Sequence, residues 1–131
     1  MSTSNVTGMA HVCIPVQDIA RSCRLYLDIL GFVPDEEQVT DTMRLLLLKK
    51  GGSAIELIQH TPAREQKHAA GPIDHIALNV QDMDALIGKL RDAGYVFDSE
   101  GPIEVPDCFG GIKIIFFTGP DGERIELIQS L

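Results

Sequence analysis

Four side chains in this sequence could hold a divalent cation, and they come as two matched pairs: His11 with Glu56, and His75 with Glu126. Each Glu is the second residue of the same pentapeptide, Ile-Glu-Leu-Ile-Gln, at 55–59 and again, unchanged, at 125–129. Alone, a His opening an apolar stretch reads as an ordinary half-buried residue, and a Glu inside one as an outward-facing charge. Recurrence of both, at corresponding positions in two half-chains, points instead to a duplicated module building one shared site. Two carboxylates brought to one point repel, and one is forced to take up a proton unless a cation neutralises them. A set of two His and two Glu, with room for water, suits a borderline metal such as nickel, cobalt or zinc.

The elements that must position these residues follow from periodicity. Residues 9–16 alternate as a strand, with Val12, Ile14 and Val16 on a core face and His11, Cys13 and Pro15 on the other. In the pentapeptides the same alternation seats Ile55 and Leu57 in the core and turns Glu56 inward with His11; Glu126 likewise joins His75. Asp18 reads as an N-cap for a helix carrying Ile19, Cys23, Tyr26, Leu27 and Leu30, ended by Gly31. Pro34 and the acidic Asp35–Glu37 mark a turn. Strands follow at 42–50 and 53–59, joined at Gly51-Gly52. The run Leu45–Leu48 lacks alternation, which predicts a strand covered on both faces.

After a linker at 61–72 the programme restarts: a strand at 73–80, a helix capped by Asp82 and ended by Gly94, and strands at 112–118 and 123–129. His75 follows His11 at an offset of 64, whereas the two Glu are offset by 70, because the second half carries a longer loop, Ser99–Gly111, with Phe109 in it. That loop is a candidate substrate lid. His60 and His68 read as solvated surface, and Cys13 as a small wall residue beside His11. The predicted architecture is α+β, a single domain over 9–131 made of βαβββ modules at 9–60 and 73–131.

Composition narrows the function. A chain of 131 residues with 44% hydrophobic content can bury a real core, and it has no run of about 18 apolar residues to span a membrane. The N-terminus lacks a basic and then apolar leader, and the three cysteines show no zinc or redox spacing, so a cytoplasmic location is expected. A net charge of −8 argues against nucleic acid or an anionic membrane as partner. A small-molecule substrate remains.

The stretches Asp18-Ile-Ala-Arg-Ser-Cys-Arg-Leu-Tyr-Leu-Asp-Ile-Leu-Gly-Phe, Asp74-His-Ile-Ala-Leu and Gly119-Pro-Asp-Gly-Glu-Arg-Ile-Glu-Leu-Ile resemble the vicinal oxygen chelate superfamily. This superfamily takes in glyoxalase I, extradiol dioxygenases, methylmalonyl-CoA epimerase and fosfomycin-resistance proteins. The resemblance covers residues 9–129 and implies a glyoxalase-like curved mixed sheet around one metal site. The His/Glu/His/Glu set is most similar to compact bacterial glyoxalase I (lactoylglutathione lyase), which implies nickel or cobalt ahead of zinc, and a homodimer. It implies conversion of a methylglyoxal–thiol hemithioacetal to a lactoyl thioester by enediolate proton transfer. Glu126 would be the base and Glu56 its pseudo-symmetric partner, a choice made on the loop that only the second half carries. Where many glyoxalase I chains place an Arg for the glutathione carboxylate, this chain has Pro15; Arg21, Arg24, Arg44, Lys113 and Arg124 are the candidate substitutes. The alternatives are a methylmalonyl-CoA epimerase-like enzyme and a metal-free binding protein of the bleomycin-resistance type.

Overall fold

A computed structural model describes residues 4–64 and 71–131. The first half runs β1 (Val12–Pro15), α1 (Ile19–Cys23) continued by a π-helical segment (Arg24–Ile29), β2 (Val33–Val39), β3 (Met43–Lys50) and β4 (Ser53–His60). The second runs β5 (Ile76–Asn79), α2 (Met83–Asp92), β6 (Ile103–Val105), β7 (Ile112–Thr118) and β8 (Arg124–Ser130). Each half forms its own mixed sheet, ordered β1-β4-β3-β2 and β5-β8-β7-β6, with β1 and β5 paired parallel to the pentapeptide strands.

The expected curved mixed sheet around a metal site is not what forms. Two separate open sheets stand in its place, each ending on an edge strand at both sides. Two forces account for this. In the first sheet, Pro15 has no N–H to give a further strand on β1. The helix-covered faces of both halves are also drawn into one apolar cluster, in which Ile14, Tyr26, Leu48 and Leu57 meet Met83, Leu90, Phe117 and Leu127. Completely buried residues such as Leu57 and Leu127 each contribute about 1.5–3 kcal/mol by leaving water.

Each helix is started by the last residue of a pentapeptide. Gln59 Oε1 accepts from Ile19 N at 2.8 Å, and Gln129 Oε1 accepts from Met83 N at 2.8 Å. Asp18 adds the expected cap on α1, accepting from Ala20 N at 3.0 Å. Asp82 does not cap α2: its backbone is left-handed, at φ +50°, and its side chain makes no cap hydrogen bond. After Cys23 the first helix loosens, with Leu30 N reaching back to Leu25 O at 2.9 Å. The buried face becomes Ile19, Ser22, Leu25 and Tyr26, while Cys23 is half-buried. Gly31, at φ +77°, reverses the chain after it.

Two other expectations are corrected. Pro34–Glu37 is not a turn but part of the fully exposed edge strand β2, with a register shift between Pro34 and Glu37. Proline, charge and a bulge are what an edge strand carries to discourage further pairing. The four leucines of β3 do alternate in burial: Leu46 and Leu48 are buried, Leu45 and Leu47 half-buried, so only one face is covered. The Ser99–Gly111 segment contains β6, paired with β7, and lifts Phe109 to 88% exposure at φ +46°. The linker lies partly outside the described residues, and His68 falls there.

Candidate metal centre

Register places the candidate ligands. Parallel pairing sets Cys13 opposite Glu56 and Ala77 opposite Glu126, so the His two residues before each shares its Glu's face. His11 Nε2 stands 3.4 Å from Glu56 Oε2, and His75 Nε2 stands 2.8 Å from Glu126 Oε2. Each pair is therefore assembled by its own sheet. Among the described residues no group of three or more His, Cys, Asp or Glu side chains that could hold a metal occurs. The chain brings each His to its Glu without gathering all four.

The donors suit a divalent ion. Two ligands each about 2.0–2.2 Å from a metal stand about 3–3.4 Å from one another; the first pair has that spacing, and the second, at 2.8 Å, is drawn in to hydrogen-bond distance. His75 Nδ1 lies 2.7 Å from Asp74 Oδ2, which commits that nitrogen and leaves Nε2 facing Glu126. A ring nitrogen and a carboxylate oxygen at 2.8 Å need a proton or a cation between them. The hydrogen bond from His75 also holds the Asp74 carboxyl below its ordinary value. Glu126 is the more enclosed carboxylate, with 11% of its side chain exposed against 23% for Glu56.

Cys13 is exposed beside the first pair. Desolvation, then the hydrogen bond and charge of Glu56, push its thiol up to about 11, so it stays protonated at neutral pH. Around the pairs the helix-free faces are apolar and half-buried. Leu47 lies opposite Glu56 and Phe116 opposite Glu126, with Leu45, Ile58, Ile114 and Ile128 beyond. A cleft of about 1010 Å³ opens along β1 and the start of β5, lined by Cys13, Pro15, His60, Arg64, His75 and Arg124. His60, expected on the solvated surface, is half-buried in its wall.

Of the basic residues that could replace a cation at Pro15, Arg124 lies on the site face, two residues before Glu126 on β8. Arg21 is bound to Asp121 at 2.9 Å and Arg44 to Glu37 at 3.0 Å. Lys113 lies on β7 one residue out of step with Ile114 and Phe116, on the other face. The Gly119–Gly122 turn, read from the sequence only as a turn, fastens the two halves together. Asp121 accepts from Gln17 N at 2.8 Å and from Ser22 Oγ, while buried Tyr26 donates to Glu123 Oε2 at 2.9 Å. Burial raises the Glu123 carboxyl above its ordinary value. A Cβ at Gly119 would overlap that carboxyl, so a side chain there would have to push Glu123 aside.

The sequence pattern of the Glyoxalase/Bleomycin resistance protein/Dioxygenase superfamily matches residues 8–127. A probable lactoylglutathione lyase of Synechocystis sp. is 30% identical over 128 residues, covering 93% of this chain and 95% of its own. Among solved structures, a glyoxylase/bleomycin resistance protein/dioxygenase domain from Frankia sp. superposes with a TM-score of 0.80 at 25% identity, over 97% of this chain and 94% of its own. The trypanothione-dependent glyoxalase I of Leishmania major does so with a TM-score of 0.78 at 27% identity, over 95% and 87%. Among the described residues no helix is long and apolar enough to cross a membrane.

Proposed function

Because this chain belongs to the glyoxalase/bleomycin resistance protein/dioxygenase superfamily, we propose that it is a metal-dependent lyase of the glyoxalase I type. Its substrate is the hemithioacetal of methylglyoxal and a thiol, and its product is the lactoyl thioester. The observation that carries this reading is the matched pairing of His11 with Glu56 and His75 with Glu126, at equivalent register positions of two sheets.

The four residues are the ligands of one divalent ion, nickel or cobalt ahead of zinc. The working unit is a homodimer. Neither pair supplies more than two donors, and each opens on a helix-free face. The first-module pair of one subunit therefore meets the second-module pair of the other. When bound, the ion supplies Lewis-acid stabilisation of the charge that develops on two vicinal substrate oxygens.

The chain's own residues do the rest. The Glu126 carboxylate takes the proton from C1 of the hemithioacetal and returns it to C2, so C1 is oxidised, C2 reduced, and nothing else is consumed. Enclosure beside Phe116 keeps water from that proton during the transfer. The apolar residues Leu45, Leu47, Ile114 and Ile128 receive the uncharged parts of the substrate. Arg124 is a cation on this face, and it is already engaged by Asp74 and Asp98. The Leishmania enzyme is trypanothione-dependent, and this reading leaves the thiol used by this chain open.

The test is an assay of methylglyoxal with glutathione, and with other thiols, after nickel loading. Thioester formation that disappears with a chelator and returns with nickel is the expected result. Turnover of methylmalonyl-CoA instead, or a protein that takes up no metal, would overturn the assignment.

A further inference from the structure

The residue before each candidate His differs between the modules, and so does everything behind it. His11 follows Ala10, which offers no side-chain acceptor. His75 follows Asp74, whose Oδ2 lies 2.7 Å from Nδ1. Asp74 is in turn held by Arg124, whose Nη1 is 3.4 Å from the same oxygen and whose Nη2 is 3.0 Å from Asp98 Oδ2. The Arg124 guanidinium lies over the Phe116 ring at 3.9 Å, and Phe116 meets the His75 ring edge-on at 5.2 Å and 89°. His75, Asp74, Arg124 and Phe116 thus close a ring of contacts around one imidazole. At the aligned positions the first module has Ala54 for Arg124 and Leu47 for Phe116.

We propose that Asp74, fixed by Arg124, is a positioning residue that holds the His75 ring with Nε2 directed at Glu126. The second module is then the stronger metal-binding half of the site. This rests on the metal-centre reading above. An imidazole that is free to turn, and free to move its proton between nitrogens, spends only part of its time with a lone pair toward the ion. A carboxylate on Nδ1 fixes both the ring orientation and the tautomer, and it raises the basicity of the opposite nitrogen. The guanidinium supplies what an exposed Asp lacks, a fixed direction. Its planar fork is shared between two carboxylates and braced on an aromatic face.

Two measurements on the full chain decide the matter. In the first, cobalt affinity of metal-stripped protein is read by competition with a chromophoric chelator, for wild type, Asp74→Ala and Asp74→Asn. The Ala variant is expected to bind about 10- to 100-fold more weakly. The Asn variant, which keeps an acceptor oxygen for Nδ1–H, is expected to recover most of that loss, and it covers the case that the Ala protein folds poorly. In the second, the His75 ring nitrogens are observed by NMR in metal-free protein, about two pH units above the usual imidazole range. Wild type should show a proton on Nδ1 held in the hydrogen bond to Asp74, with Nε2 facing Glu126, and Asp74→Ala should lose that hydrogen-bonded Nδ1–H signal.

Unchanged affinity in a folded Asp74→Ala protein, or unchanged nitrogen shifts, overturns the proposal. A wild-type protein that takes up no cobalt would remove the metal reading instead. The nitrogen shifts alone would then decide whether Asp74 holds the ring.

Discussion

The two modules share strand order, helix placement and a repeated pentapeptide, yet the His–Glu pairs they carry are unequal. In the second, His75 and Glu126 are 2.8 Å apart, the carboxylate is mostly enclosed, and Asp74 backs the imidazole. In the first, His11 and Glu56 are 3.4 Å apart and more open, with a protonated Cys13 thiol beside the carboxylate. Duplication supplies the His and the Glu twice, while the strand positions around them set how closely each pair is held. Under the proposed function, the second half would hold the metal and shelter the proton, and the first would complete the ligand set.

The largest effect that would sharpen this contrast is on turnover. Glu126→Gln should keep the fold and lower kcat by about 10²- to 10⁴-fold, the range for losing a positioned base. Glu56→Gln should act more through metal retention, with part of its activity restored by excess nickel. A Glu126→Gln protein that is folded, metal-loaded and near wild-type in rate would reverse the roles of the halves.

The helix starts give a second, smaller contrast. Gln59 and Gln129 cap their helices identically, but α1 also has Asp18, whereas Asp82 contributes no cap to α2. Removing a cap costs about 0.5–2 kcal/mol. Gln129→Ala should therefore fall toward the upper end of that range and Gln59→Ala toward the lower, as read from denaturant midpoints. Equal losses would mean that the second cap on α1 contributes nothing.

The smallest effect concerns the turn that joins the halves. The Glu123 carboxyl is raised by burial, so the folded chain binds its proton more tightly than the unfolded chain does. Its contribution is fully present below the ordinary Glu range and is lost as pH rises through the raised value. Glu123→Gln keeps an acceptor for Asp121 N and a partner for the Tyr26 hydroxyl. It should gain stability relative to wild type as pH is raised from about 4 toward neutrality. Melting curves at several pH values test the sign, and a constant difference between the two proteins would show that the carboxyl does not titrate across this range.

Much of this was legible in the sequence because duplication doubles every signal. The order of elements in each half, the core placement of Ile55, Leu57, Ile125 and Leu127, and the shared face of each His and Glu follow from period-two alternation. The curved sheet was not legible. Whether two modules join by their edges or bury their helix faces together depends on long-range packing that no local pattern encodes. Pro34–Glu37 misled because proline and acidic charge serve both turns and edge strands. The capping role of Gln59 and Gln129 went unseen because the acceptor is about forty residues from its helix. Asp74 was visible as the neighbour of His75. The positioning proposed for it needed Arg124, 50 residues further along the chain.

In the proposed function one metal site takes its two halves from two subunits, and a mixing experiment tests this directly. His11→Ala and His75→Ala proteins are each stripped of metal, then unfolded and refolded together. In a mixed dimer one site carries both lesions and the other carries neither. Metal binding and thioester formation should return to roughly a quarter of the wild-type level when the chains pair at random. Co-refolded dimers with no more activity or bound metal than the separate variants would contradict the account.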